Sequence, residues 1–351
     1  MNRRHPSMIQ AWFARSAASA VLCLASLGCS GGDPDDGTAD TGGLEDRLLR
    51  AEQLLTFGKV EPAAQLAAAI TTDAPDDWRG HDLLARIHMQ RAFDFEDAGL
   101  IDHSAAHLQL AVASYATAIE HGQARAGLWR SGGDAAQLAG DLPLALDWYT
   151  AALDAAPDDV RVLLRIAQLR FDAEPEESRG LLLRATEIDP LIPEAHASLA
   201  LLAAHEGRQD AARARMAEAL RLDGENPQLR IVQARVHRVL GAFAVGVEIL
   251  SALPDRVRAS RAATEELALC WEALGRYDRV ADAWAACFAA NAHRSDAWSM
   301  ALQAGRAAVA AGDLPRAAAL FAQAEMQSAP KDEIEAARAE AAKHEPRGDA
   351  P

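Results

Sequence analysis

Residues 126–159 read AGLWRSGGDAAQLAGDLPLALDWYTAALDAAPDD. Apolar and small residues recur here at three- and four-residue steps, the period of an amphipathic α-helix. The pattern breaks at Gly140-Asp141, a turn pair, and again at Pro157, which cannot continue a helix. The stretch therefore reads as two short helices joined by a tight turn. Trp129 and Gly133 share a face of the first helix, and Ala145, Tyr149 and Ala152 share a face of the second. Small residues at Gly133, Ala145 and Ala152 let the helices approach closely, while a large ring fills the gap that remains.

The same arrangement recurs along the chain. Gly58, Ala63, Ala67, Ile70 and Pro75 close a unit that starts near residue 44, and Ala111, Tyr115 and Ala118 close a second. Ser178, Leu182, Ala185 and Pro190 end a fourth, which has Pro175 where the turn glycine is expected and so predicts a hairpin shorter by one residue. Residues 193–226 make a full-length fifth, with Leu199, Ala200, Gly207, Ala212, Met216 and Ala219. A shortened sixth carries Ala234, Gly241, Gly246 and Leu250 before Pro254. The seventh has Ala268, Trp271, Gly275, Trp284 and Cys287; the eighth has Trp298, Gly312, Ala317, Phe321 and Ala324. Each unit is too small to bury a core alone, so a stack of them is implied.

This spacing resembles the tetratricopeptide repeat (TPR). The resemblance implies an all-α, TPR-type solenoid, a right-handed superhelix of antiparallel helix pairs. About eight repeats span 44–330, and a capping helix at 331–344 covers the last open face. Residues 345–351 are expected to be a disordered tail. The second unit is longer than the rest by a polar insertion within 93–107, expected as decoration.

Composition agrees with this reading. Half of the 351 residues are hydrophobic but only 5% are aromatic, so alanine carries much of the apolar content and favours helix over strand. The net charge of -16 argues against nucleic acid as a partner, since phosphate contacts need a dense cationic surface.

Residues 1–28 read as an export signal. Arg3, Arg4 and Arg15 precede a short apolar run that ends in small residues at Gly28-Cys29. The run from Ser16 to Leu27 is too short to cross a bilayer as a helix. The segment Ala25-Ser26-Leu27-Gly28-Cys29 resembles the lipobox of bacterial lipoproteins, which implies acylation of Cys29 and, with Ser30 following it, sorting to the outer membrane facing the periplasm. Residues 29–43 are then the lipidated cysteine and a flexible acidic linker rich in glycine and aspartate. Membrane attachment is expected through this N-terminal lipid alone.

Motifs for chemistry are few. There is no G-x-S-x-G elbow, phosphate loop or H-E-x-x-H pair, so no enzyme, cofactor or metal centre is expected. His103 and His107 are one helical turn apart and could share a metal ion, but they read as a solvated pair within the insertion. Cys270 and Cys287 fall on facing helices of one unit. They read as two free buried thiols, with a disulfide the alternative that an exported protein would allow. Trp129 and Trp284 take bulky core positions, whereas Trp148 is expected to be partly exposed.

The resemblance also implies a concave groove lined by the first helix of every unit. Carried over residue by residue, it places Arg86, Arg130 and Gln137 there from the second and third units. Arg161, Gln168 and Phe171 follow from the fourth, His205 from the fifth, and Arg235 and Arg238 from the sixth. A row of arginines in an acidic protein suggests an acidic peptide or a terminal carboxylate as ligand. The expected function is a non-catalytic scaffold or adaptor lipoprotein that binds protein partners in the bacterial cell envelope. The alternative is a peptidoglycan- or carbohydrate-associated module, or a regulatory subunit of an envelope enzyme.

Overall fold

The computed structural model describes residues 43–122 and 125–344. The expected signal, Cys29, most of the acidic linker and the 345–351 tail lie outside the described residues. The described chain contains no strand; its regular elements are α-helices. It divides into two compact units, one ending at Ile188 and the other starting at Asp189.

The first unit pairs α1 (Leu44–Thr56) with α2 (Val60–Asp73), and α3 (Trp78–Asp97) with α4 (Ile101–His121). It continues with α5 (Ala126–Leu138) on α6 (Leu142–Ala155), and α7 (Val160–Arg170) on α8 (Pro175–Ile188). The second unit pairs α9 (Pro193–His205) with α10 (Gln209–Leu222), and α11 (Pro227–Val239) with α12 (Phe243–Ser251). A single turn, α13 (Asp255–Arg258), leads to α14 (Arg261–Ala273) with α15 (Tyr277–Ala290), then α16 (Ala297–Ala310) with α17 (Leu314–Met326). Last comes α18 (Lys331–Lys343). The fold is all-α and of the TPR type.

The Gly-Asp dipeptide explains how a pair turns. Gly140 has φ +82°, a conformation costly for any residue with a Cβ. It lets the Gly140 and Asp141 amides donate to the Gln137 and Ala136 carbonyls, which closes α5. The Asp141 carboxylate then accepts from the Leu144 amide and caps α6. Gly312-Asp313 repeats the device between α16 and α17, with Asp313 accepting from the Arg316 amide.

Two pairs are irregular, and one of them differs from the sequence expectation. The pair holding Pro175 is shorter by one residue, but its turn is not the tighter part. Helix α7 has 11 residues against 13 in α5, and residues 171–174 make a turn longer than the three-residue turn at 139–141. Proline fits at the first position of α8 because its missing N–H has no helical partner there anyway. The 93–107 insertion adds length to a pair without adding an element. It is absorbed into the helices, lengthening α3 to 20 residues and α4 to 21.

Close approach in the core follows the small residues. A Cβ on Gly133 would stand 2.6 Å from the Tyr149 ring, and one on Gly132 would stand 2.7 Å from Trp148. Trp148 is thus buried, contrary to its expected partial exposure. Trp284 is buried as expected, and Trp129 is half-buried against the same cluster as Trp148. A Cβ on Gly305, which the sequence pattern did not single out, would stand 2.4 Å from the Phe321 ring, at the same 16-residue spacing as Gly133 and Tyr149. At the end of the second unit, α18 buries Ile334 and Ala337 against the cluster that contains Met300, Leu320 and Phe321, and turns charged residues outward.

Candidate functional site

The first-helix faces are the candidate site, and they are described here for each unit separately. In the first unit, Arg86 on α3 is half-exposed, with Nη1 3.6 Å from both Glu52 of α1 and Asp82 of its own helix. Burial outweighs that guanidinium and pushes the Asp82 carboxyl up from its ordinary value. Arg130 on α5 reaches Asp159, the N-cap of α7, at 2.7 Å. Gln137 is buried; its Oε1 lies 2.9 Å from the Tyr149 hydroxyl, which is also 2.7 Å from Asp134 Oδ1. The single hydroxyl proton serves one of these at a time. Arg165, with its side chain 7% exposed, donates its Nε–H to the same Asp134 oxygen at 3.2 Å. Burial first, and the Asp134 charge second, raise the Tyr149 phenol well above its usual range, so it remains a neutral donor.

The α7 residues behave differently. Arg161 is exposed, and among the described residues its side chain meets no partner. Gln168 is only 3% exposed, yet neither its amide nitrogen nor its amide oxygen finds a hydrogen-bond partner. Phe171 is buried at the C-cap of α7 and closes the helix end rather than lining an open surface.

In the second unit, His205 is exposed at the end of α9. Leu201 on the same helix, which the TPR register also places on the groove face, is buried. Arg235 and Arg238 on α11 converge on Glu266 of α14, Nε to carboxylate at 2.6 and 2.9 Å. Glu266 is 2% exposed, a charge deep enough to need this pairing.

The arginines that the sequence assigns to a ligand are therefore mostly engaged within the chain. Their partners come from the neighbouring helix pair, about one repeat away in sequence. The same span recurs for Arg79 with Glu45 at 2.7 Å, Arg91 with Glu61 at 2.7 Å and Arg316 with Asp282 at 2.8 Å. Sequence reasoning missed Glu266 and Arg165, the buried halves of this ladder. The available sign was a carboxylate lying 28 to 31 residues from its arginine on corresponding faces.

The other candidates also find places. Cys270 and Cys287 are free and buried; Cys287 Sγ lies 3.6 Å from Met300 Sδ, and burial pushes the Cys270 thiol up to about 11. Of the two histidines expected to be solvated, His103 is exposed and His107 is half-buried. His107 is stacked between Phe95 and His88, and His103 tilts against Phe95. Among the described residues no three His, Cys, Asp or Glu side chains converge on a metal position, and no helix is long and apolar enough to cross a membrane.

No protein-family model and no curated protein matches the chain. Solved structures do. Yeast Tom70 aligns at TM-score 0.56 and 15% identity, over 97% of this chain and 74% of that one. A tetratricopeptide repeat protein from Parabacteroides merdae aligns at 0.49 and 19% identity, covering 74% of this chain and 99% of its own. Pseudomonas aeruginosa pilF aligns at 0.49 and 15%, covering 63% and 95%. At these identities the likeness concerns the fold, and the Tom70 alignment carries it along nearly the whole chain.

Proposed function

We propose that this protein is a non-catalytic adaptor whose first-helix faces hold a protein partner, with an acidic or carboxylate-bearing segment as the contact. The observation that carries this reading is Arg161. Of the five arginines on the predicted groove face, it is the one whose side chain is neither buried nor paired within the described chain. Two turns along the same helix, Gln168 offers a buried amide with both hydrogen-bonding ends unmet. A guanidinium in water forks readily onto a carboxylate, and an unmet amide gains when an extended backbone supplies its missing partners. The test is affinity capture with the full-length chain as bait, followed by the same capture with Arg161→Glu. Loss of the captured partner in R161E, with retention in Arg213→Glu on α10, supports the reading; equal capture by R161E overturns it.

The site of action follows from the N-terminus. We place the protein at the outer membrane, facing the periplasm and held by a lipid on Cys29. Support comes from the charged start, the short apolar run and the small residues before Cys29. Labelled fatty acid should enter the wild-type chain and be absent from Cys29→Ala; label retained in that variant would remove the anchor from the proposal.

A further inference from the structure

The lengthened α3–α4 hairpin carries five histidines, of which His81 and His121 stack at 6.1 Å and the other three, His88 on α3 and His103 and His107 on α4, gather around Phe95. Sequence spacing couples His103 to His107, but the fold couples His107 to His88. Their Nδ1 atoms are hydrogen-bonded at 3.0 Å, one ring donating and the other accepting, so a metal ion would displace that proton; the rings stack at 5.2 Å between centroids. Phe95 packs on the other face of His107 at 5.3 Å and 12° between planes, so that ring is held from both sides. We propose that His88 and His107 chelate a single zinc, copper or nickel ion through these two nitrogens.

The spacing is what such an ion requires. With metal–nitrogen bonds of about 2.0–2.1 Å and a bond angle of about 90–110°, the two nitrogens of a chelate stand about 2.9–3.4 Å apart. Two imidazoles suit late first-row divalent ions better than magnesium or calcium, which prefer oxygen. The nearest cation, Arg91, sits one turn beyond His88 and is tied to Glu61 at 2.7 Å, which offsets its repulsion. Asp94, Glu96, Asp97 and Asp102 on the same hairpin give the surrounding surface a negative field that concentrates cations. With no third protein ligand converging among the described residues, water completes the coordination, so binding is of moderate strength and reversible.

The probe is zinc chloride, titrated calorimetrically into the full-length chain after treatment with a chelator. One ion per chain is expected. His88→Phe and His107→Phe keep a ring in the stack and remove the nitrogen, so each should weaken binding at least tenfold while the circular dichroism spectrum stays wild-type. His103→Ala should bind as the wild type does. Nickel should broaden the ring-proton resonances of His88 and His107 ahead of those of the other histidines. Zinc binding unchanged in either Phe variant, no binding by the wild type, or a loss in H103A as large as in H88F would each overturn the proposal. In the last case the ion would belong to the one-turn pair on α4.

Discussion

A single methyl group separates two glycines of opposite consequence. At Gly133 a Cβ would stand 2.6 Å from the Tyr149 ring, whose hydroxyl is bonded to Asp134 and packed beside Gln137. That ring cannot withdraw without losing its polar contacts, so Gly133→Ala should destabilise the first unit by about 2–3 kcal/mol, as overpacked cores do. At Gly180 on α8 the same Cβ meets nothing within 4 Å and the backbone is already helical. Gly180→Ala should instead add about 0.5–1 kcal/mol. Urea unfolding of the two variants checks both signs. The first of these glycines was legible in the sequence, because a small residue facing an aromatic 16 positions on belongs to the repeat pattern. Gly305 obeys the same rule and was not singled out, although Ala317, Phe321 and Ala324 already set the register that reaches it. Asp77 gives a pH readout at this scale. It caps α3 through the Arg79 amide, and hydrogen bonding to the Arg79 side chain holds its carboxyl below the usual carboxylate range. A depressed folded value means stability that is present above about pH 4, the unfolded value, and lost as pH falls through the folded one. Asp77→Asn keeps an acceptor and removes the charge. The variant should be less stable than wild type by about 0.5–1 kcal/mol at pH 7, with the gap closing below pH 4. A gap that stayed constant down to pH 3 would assign the effect to capping geometry alone.

Between elements, the arginines act as ties from one helix pair to the next. Helix type, pairing and most turns were readable, since periodicity and Gly-Asp or proline breaks are local in sequence; the turn before Pro175 was not. The use of the groove arginines was not, because each partner lies about a repeat away and only stacking brings the two together. Arg235 and Arg238 look like ligand-binding residues until α14 is laid against α11 and Glu266 arrives between them. The polar insertion within 93–107 was legible as extra length, but not its placement: the ring stack of His103, Phe95, His107 and His88 forms only once α3 and α4 lie side by side. The ion-pair ladder leads to a graded prediction. Glu266→Gln leaves two guanidinium groups facing a neutral amide in a nearly closed site, and should cost about 2–4 kcal/mol. Arg238→Ala should cost less, since Arg238 is partly exposed and Arg235 still satisfies the carboxylate. Raising the salt concentration should scarcely change either value, whereas the surface pair of Arg276 with Asp278 should contribute less than 1 kcal/mol and fade with salt. Equal losses in the two variants would mean that Glu266 depends on Arg238 as much as on Arg235.

At the largest scale, the helix pairs stacked within each compact unit have no single centre, and the unit's stability is the sum of what each pair gains from its neighbours. The ends then matter most, since a terminal pair has one partner where an inner pair has two. In the second unit that end is closed by α18, whose Ile334 and Ala337 pack on the cluster of Met300, Leu320 and Phe321 while Arg306 pairs with Glu333 at 2.9 Å. Its outward face is charged or alanine, which suits solvent and offers no apolar surface for a further pair. Deleting residues 331–351 exposes that cluster to water. The loss should be local before it is general. Amide hydrogen exchange should quicken first in α16 and α17, less in α14 and α15, and least in α9 and α10, because coupling passes only from neighbour to neighbour. Ile334→Asp in the full-length chain should give a weaker version of the same gradient, since the helix remains but its apolar anchor is gone. An equal loss of protection from α9 through α17 would instead make the unit one cooperative body, stabilised as a compact globule is and not by successive contacts along a stack.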